Sequence, residues 1–279
     1  MSRTIDLHTH STASDGSFSP GELVRHAWEN GLSAVALTDH DTVSGIEEAL
    51  EMGKALGIEV IPGIEIGLEF KPEMHMLGYF FNNSYKKIGK VLDRLFNSRE
   101  ERNPRIIAKL NELGFNITMG DVRHNAGGSI IGRPHIAKAL VDKGYVKDNN
   151  EAFEKYLASG KPAYFPKDKL TPAEGIGEIL EAGGIPVLAH PIYLGMDYSR
   201  LDGLLANMKK AGLKGIEAYY TENRYEDTGN LLRLAIKHEL IPTGGSDFHG
   251  SFKPDIEIGK GRGNLHVPYE VLESLKKVK

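Results

Sequence analysis

No cysteine occurs anywhere in the 279 residues. That absence excludes disulfides, thiolate metal sites and a cysteine nucleophile, and leaves histidine and carboxylate as the strong ligands available. No uninterrupted apolar run is long enough to cross a bilayer, and Met1-Ser2-Arg3-Thr4 leads into the first β-rich run without an apolar signal region. The expectation is a cytoplasmic protein with no membrane partner. A strong excess of one charge is lacking too. With a formal net charge of -4, the whole-chain field draws neither nucleic acid nor a membrane surface, so an anionic substrate has to be met by a local site. At 40% hydrophobic and 26% charged, the composition is that of an ordinary globular chain, long enough for one large α/β domain or one domain with an insertion.

What is present is an alternation. Seven short β-rich runs (5–8, 34–38, 59–66, 75–80, 185–189, 215–220 and 241–244) are separated by helix-period segments, which predicts a parallel sheet or barrel with helices outside. Between the first two runs, Ser19-Pro20-Gly21-Glu22 supplies an N-cap, a proline in the first turn and a capping-box glutamate, followed by Leu23, Val24 and Ala27 at helical spacing. The rhythm breaks at residues 97–165. There the sequence reads as helical and basic, with Arg99, Arg102, Arg105, Lys109, Arg123, Arg133 and Lys138, as an inserted cap over a barrel would. The division expected is a barrel from 1–96 and 166–279 with a helical insertion at 97–165. Arg99, Arg102 and Lys109 read individually as a solvated helix face. Arg133 differs: in Gly132-Arg133-Pro134-His135 a proline stiffens the loop, and the planar guanidinium fork suits a phosphate.

The residues able to ligate metal fall at the ends of these runs. His8 and His10 end the first run, and side chains at i and i+2 of an extended backbone point the same way, so both can reach one ion. Asp15 follows in the adjoining loop. His40 comes just after the second run, Glu65 lies in the third, His190 just follows the fifth, and Asp247 and His249 follow the seventh. The carboxyl-terminal mouth of an α/β barrel is where such loops converge, so residues from position 8 to position 249 are expected to meet in one cleft. His75 is the awkward member, because it begins its run; the strand is short or its direction is reversed. Nine candidates exceed the roughly three protein ligands of one catalytic zinc-type ion, which implies two or three ions. Carboxylates bridge metals readily, and that marks Glu65 and Asp247 as the natural bridges. Paired ions that share and activate a water suit hydrolysis of a phosphate ester. His26, His124, His238 and His266 lack this context and are read as surface residues.

Asp6-Leu7-His8-Thr9-His10, Asp15-Gly16, Thr38-Asp39-His40-Asp41-Thr42, Gly63-Ile64-Glu65, Ala189-His190-Pro191 and Ser246-Asp247-Phe248-His249 resemble the successive motifs of the PHP (polymerase and histidinol phosphatase) metal-dependent phosphoesterases. The resemblance spans essentially the whole chain. It implies an α/β fold, a distorted (β/α)7 barrel with a mostly helical inserted cap, carrying two or three divalent ions. Manganese is the first expectation, with iron, zinc or magnesium as alternatives. The insertion, notably Ile131-Gly132-Arg133-Pro134-His135-Ile136-Ala137 and Gly160-Lys161-Pro162-Ala163-Tyr164, resembles the subgroup of 3′,5′-nucleotide bisphosphate phosphatases and short-RNA 5′-to-3′ exoribonucleases. The implied ligand sets are His8, His10, Glu65 and Asp247 for one metal, Glu65, His75 and His190 for a second, and Asp15, His40 and His249 for a third. Catalytic roles fall on Asp15, His40, Glu65, Asp247 and His249, and Arg133 and His135 would grip substrate phosphate.

The implied reaction is attack of metal-bound hydroxide on phosphorus, with Arg133 neutralising the nonbridging oxygens and His135 a candidate proton donor. The substrate expected is a nucleoside 3′,5′-bisphosphate or a short 5′-phosphorylated RNA, with no obligate protein partner. A cyclic ribose phosphate, histidinol phosphate and a noncatalytic nucleic-acid-binding module stand as alternatives. Asp39 and Asp41 are expected to orient ligand histidines, or, for Asp41, to cap a helix. Gly244-Gly245 fits a tight turn near the metals, and spacing leaves open whether Tyr219 and Tyr220 line the pocket or pack beneath it.

Overall fold

The computed structural model describes residues 3–126, 131–166 and 168–278. In chain order the barrel begins with β1 (Thr4–Asp6), α1 (Pro20–Glu29), β2 (Ala34–Leu37), α2 (Ile46–Leu56), β3 (Glu59–Leu68) and β4 (Met74–Tyr79). The helical stretch follows as α3 (Gly89–Glu112), α4 (Met119–His124), α5 (Arg133–Asp142) and α6 (Asn149–Ala152). The barrel resumes with α7 (Pro172–Glu181), β5 (Ile185–Leu188), α8 (Tyr198–Lys210), β6 (Gly215–Tyr220), α9 (Tyr225–Lys237) and β7 (Ile241–Gly245), and ends with β8 (Val267–Pro268) and α10 (Glu270–Lys276). No helix among the described residues is long and apolar enough to cross a membrane.

The strand order is β7-β6-β5-β4-β3-β2-β1-β8. Past the end of β1 the chain turns back onto β7, where Leu7 N–H donates to Gly244 O (3.2 Å) and Asp247 N–H to His8 O (2.8 Å), so the seven strands form a nearly closed barrel. Gly244 and Gly245 therefore lie in a strand and make no turn. A Cβ on Gly245 would fall 2.4 Å from the Cβ of His8, and their absence of side chain lets β7 approach β1. Strands β1, β2 and β3 run parallel, whereas β4 is antiparallel to both β3 and β5. This reversal brings the first residues of β4 to the mouth where the parallel strands end, and it resolves the placement of His75.

Side chains alternate between two apolar layers, as the two-residue period of a strand requires. Ala34, Ala36, Ile61, Leu77 and Val187 fill the barrel interior, which α10 closes with Val271, Leu272 and Leu275. Val35, Leu37, Ile64 and Ile66 face outward under α1, α2 and α7, meeting Leu23, Val24, Ala49 and Ile176. Ser19 caps α1 through the full capping box read from sequence. Helix α3 runs through position 97 without a break, with Pro104 inside it. Its first half gives Val91, Leu92 and Leu95 to the barrel core, and its second half gives Ile106, Ile107 and Leu110 to a separate cluster with Ile136, Leu140 and Leu157.

Candidate metal centre

The strands and the loops that follow them bring all nine ligand candidates to one place. Glu65, on β3, sits at the middle with its side chain 1% exposed. Its Oε1 lies 2.8 Å from His75 Nδ1 and 2.9 Å from His190 Nε2. Its Oε2 lies 3.3 Å from His8 Nε2, 3.2 Å from His10 Nε2 and 3.0 Å from His40 Nδ1. Asp247 turns Oδ1 toward the same histidines, 3.7 Å from His8, 3.3 Å from His10 and 3.4 Å from His249. Asp15 lies between His40 (3.8 Å), His249 (3.4 Å) and His10 (3.7 Å). Among the described residues, three sets of donor atoms lie close enough to share an ion: His10, Asp15, His40 and His249; His8, His10 and Glu65; and His40, Glu65 and His75.

The donor chemistry suits cations. His8 Nε2, both ring nitrogens of His10 and Glu65 Oε2 are buried without a hydrogen-bond partner among the described residues. An unsatisfied buried polar atom costs about 1–3 kcal/mol, and a divalent cation is the partner that satisfies imidazole lone pairs and a carboxylate oxygen together. Burial opposes charge on Asp15, Glu65 and Asp247, yet the surrounding histidines, with Lys253 beside Asp247, hold all three carboxyls well below their ordinary range. Burial drives His40 down to about 3, against the pull of Glu65 and Asp15, which leaves its ring neutral with a lone pair to give. Backbone strain gathers here as well. Asp41 (φ 54), His190 (φ 24) and Asp247 (φ 58) are three of the four non-glycine residues at positive φ among those described, a cost that tertiary contacts must sustain.

Several supporting residues were not picked out by sequence. Glu217 on β6 accepts from His8 Nδ1 (3.0 Å) and from the backbone N–H of His190 (2.7 Å), so one buried carboxylate orients two ligand candidates. Tyr220 OH donates to Asp247 Oδ2 (2.8 Å), which puts Tyr220 at the site, while Tyr219 packs against the interior cluster. Lys253 Nζ donates to the same oxygen at 2.7 Å. With Oδ2 engaged in this way, Asp247 turns a single oxygen to the histidines, whereas Glu65 turns two. The period-two pattern of β6 marks Glu217 as an inward polar residue, the one signal that could have found it.

Asp39 and Asp41 differ from expectation. Asp39 accepts from the N–H and hydroxyl of Ser11 and the hydroxyl of Ser14, bracing the Asp15 loop. Asp41 does not cap α2, whose N-cap is Gly45. It takes Arg99 Nε (3.1 Å) and Nη2 on Oδ2 and accepts from Gly67 N–H on Oδ1. Arg99 and Arg102 are correspondingly buried, not part of a solvated face, because α3 lies across the mouth; Lys109, farther along, is partly exposed and pairs with Glu112. Arg102 donates to the side-chain oxygen of Asn103 (3.2 and 2.7 Å). Of the histidines set aside, His26 stacks on Phe18, His238 pairs with Asp202, and His124 and His266 are exposed.

Above the histidines opens a cavity of about 150 Å³, lined by Asp15, His40, Glu73, His75, Arg99, Arg102 and Arg133 among others. Arg133 starts α5, and its Nη1 donates to Leu157 O (3.0 Å). His135 is 1% exposed and does not line this cavity. Its Nδ1 accepts from Gly132 N–H (3.0 Å), and burial lowers its proton affinity, so at neutral pH the ring is neutral with its proton on Nε2.

The family model for the PHP domain matches residues 6–163. Over 250 residues the chain is 35% identical to a 5′-3′ exoribonuclease of Haemophilus influenzae, covering 89% of this chain and 91% of that protein. It is 32% identical over 257 residues to a 3′,5′-nucleoside bisphosphate phosphatase of Chromobacterium violaceum, covering 91% and 90%. A crystal structure provisionally described as a metal-dependent phosphoesterase from Bifidobacterium adolescentis superposes with a TM-score of 0.87 at 32% identity, over 98% of this chain and 95% of that one. The chain belongs to the PHP domain family.

Proposed function

We propose that the chain is a hydrolase of phosphate esters, working with two or three divalent ions, manganese foremost, on the 3′-phosphate of nucleoside 3′,5′-bisphosphates or on short 5′-phosphorylated RNA. The observation that carries this reading is Glu65, buried and shared through both oxygens among five histidines, directly beneath a cavity walled by arginines. The ligand sets are His8, His10, Glu65 and Asp247; Glu65, His75 and His190; and Asp15, His40 and His249. Bound ions would supply water activation and neutralise charge at phosphorus.

The chain's own residues do the rest. Asp247, held by Lys253 and Tyr220, keeps one oxygen aimed at the histidines. Glu217 fixes the His8 ring and the His190 backbone. Arg133 binds a phosphate oxygen pair through its fork. His135, read from sequence as a phosphate grip, holds the Gly132 amide and so positions Arg133. The helical stretch 97–165 serves as the cap over a barrel formed by 1–96 and 166–279, and keeps bulk water from the cavity. A phosphorylated nucleotide substrate goes with a cytoplasmic setting, and the reaction needs no protein partner.

The test is phosphate release by manganese-reconstituted protein from adenosine 3′,5′-bisphosphate, beside a short 5′-phosphorylated RNA, a cyclic ribose phosphate and histidinol phosphate. Preferred turnover of the bisphosphate or the RNA is expected. Activity confined to the cyclic or histidinol ester would keep the metal chemistry and overturn the substrate class; salt-sensitive binding of long strands without turnover would favour a noncatalytic module.

A further inference from the structure

The five-residue connection between β3 and β4 carries an acid into the cationic wall of the cavity. Glu73 Oε2 accepts from Arg133 Nη2 at 3.2 Å, while Oε1 takes Lys169 Nζ and lies 3.7 Å from His75 Nε2. These partners come from the first turn of α5, the segment before α7 and the start of β4. Glu73 itself is the last residue of that connection, its side chain 39% exposed, so charge does more than packing to hold it.

Arg133 is anchored differently. Its Nη1 is tied to Leu157 O, and its guanidinium carbon lies 5.8 Å from the ring of Phe153 and 5.4 Å from that of Tyr164. The fork is fixed by these contacts, and its acidic partner is the more exposed member of the pair, 39% against 18%. A carboxylate presents the same two-oxygen edge to a guanidinium that a phosphate or sulfate does. Around it, Arg99, Arg102, Arg133 and Lys169 stand against Asp15, Asp41 and Glu73, so among the described residues the cations of the wall outnumber its acids and leave room for further negative charge.

We propose that Arg133 and Lys169 form an oxyanion subsite whose resident counter-ion is Glu73, and that a phosphate or sulfate group binds by displacing Glu73 toward solvent. The biological ligand, a phosphate group, rests on the phosphoester reading above; the subsite's preference for an oxyanion does not. Every anion that enters gives up the Glu73 contacts, so free phosphate, which has no further contacts to offset that loss, leaves more readily than an ester with a nucleoside attached.

The test is calorimetric titration of sodium sulfate into the full chain stripped of divalent metal, so that no ion can hold the anion. Glu73→Gln is expected to bind sulfate about tenfold tighter than the unaltered protein, with the gain lost in Glu73→Gln/Arg133→Gln. Lys169→Gln, which leaves Glu73 in place, is expected to weaken sulfate binding several-fold, and its result stands whether or not the Glu73 variant folds. Unchanged affinity in Glu73→Gln, a gain surviving in the double variant, or unchanged affinity in Lys169→Gln overturns the proposal. Sulfate binding in the expected pattern by a protein that hydrolyses none of the four esters keeps the subsite and removes the phosphoester reading; hydrolysis without the Glu73→Gln gain does the reverse.

Discussion

Lys253 Nζ lies 2.7 Å from Asp247 Oδ2, on the carboxylate oxygen that the histidines do not use. A half-buried ammonium thus keeps this carboxylate from turning both oxygens inward. Lys253→Met frees Oδ2, leaving only Tyr220 on it. Metal content is expected to persist while turnover falls by about 10- to 100-fold, the scale of an ångström-level misplacement. Metal analysis after gel filtration, read with kcat, checks this; loss of metal in step with activity would show that Lys253 supports binding and not orientation.

Glu217→Gln keeps the shape but replaces one acceptor oxygen with a donor, so one of the contacts to His8 Nδ1 and His190 N–H is lost. Partners of this kind are worth about 10- to 100-fold in metal affinity. Competition against a chromogenic chelator should show a loss of that size, and an unaltered dissociation constant would remove Glu217 from its supporting role.

Stripping the ions should destabilise the fold. Occupied sites contribute RT ln(1 + [L]/Kd), about 4 kcal/mol for one ion at a thousandfold excess over its Kd. Calorimetry before and after chelation is expected to show a lower Tm that manganese restores. An identical Tm in both forms would mean that the buried, unpartnered nitrogens of His8 and His10 are not metal donors.

Arg99→Ala leaves the buried carboxylate of Asp41 without its guanidinium. Breaking one side of a buried pair costs about 3–5 kcal/mol. Urea unfolding monitored by circular dichroism should register it, and a loss below about 1 kcal/mol would show that Asp41 finds another partner.

Arg102→Met runs the other way. Burial, reinforced by Arg99 and Arg133, disfavours the charge on Arg102 and pulls its pKa down to about 9. A depressed base adds stability only where it is neutral, so below that pH the folded state bears the cost of its charge. The apolar replacement is expected to raise Tm by roughly 2–4 °C per kcal/mol recovered, at neutral pH, while weakening substrate binding. A lower Tm would place Arg102 among the residues that hold α3 together.

Much of the site was readable because metal ligation leaves a local mark. His8 and His10 share a strand face by the two-residue period, and each later candidate stands beside a short β-rich run. The supporting residues leave no such mark. Lys253 is one lysine of many in the sequence, and Tyr220 adjoins a second tyrosine that packs inward instead. Arg99 and Arg102 sit on a charged helix that reads as solvated until its contact with the barrel mouth is known. Strand direction was equally hidden, since His75 at the start of a run looks misplaced until β4 is seen to run antiparallel between β3 and β5.

By itself the sequence determined the alternation of strand and helix, the Ser19 cap, the break in rhythm at the helical stretch and the nine residues that converge at the mouth. These are set by chain neighbours a few positions apart, through hydrophobic period, capping and motif spacing. Only the tertiary structure decided that Glu65 shares both oxygens while Asp247 gives one, that Glu217 reaches His8 across 209 positions, and that Glu73 meets Arg133 across 60. The physical reason is the same in each case: a charged group takes its partner from whatever packing brings within about 3 Å, and that neighbour is chosen by barrel closure and by the lie of α3 and α5, not by distance along the chain.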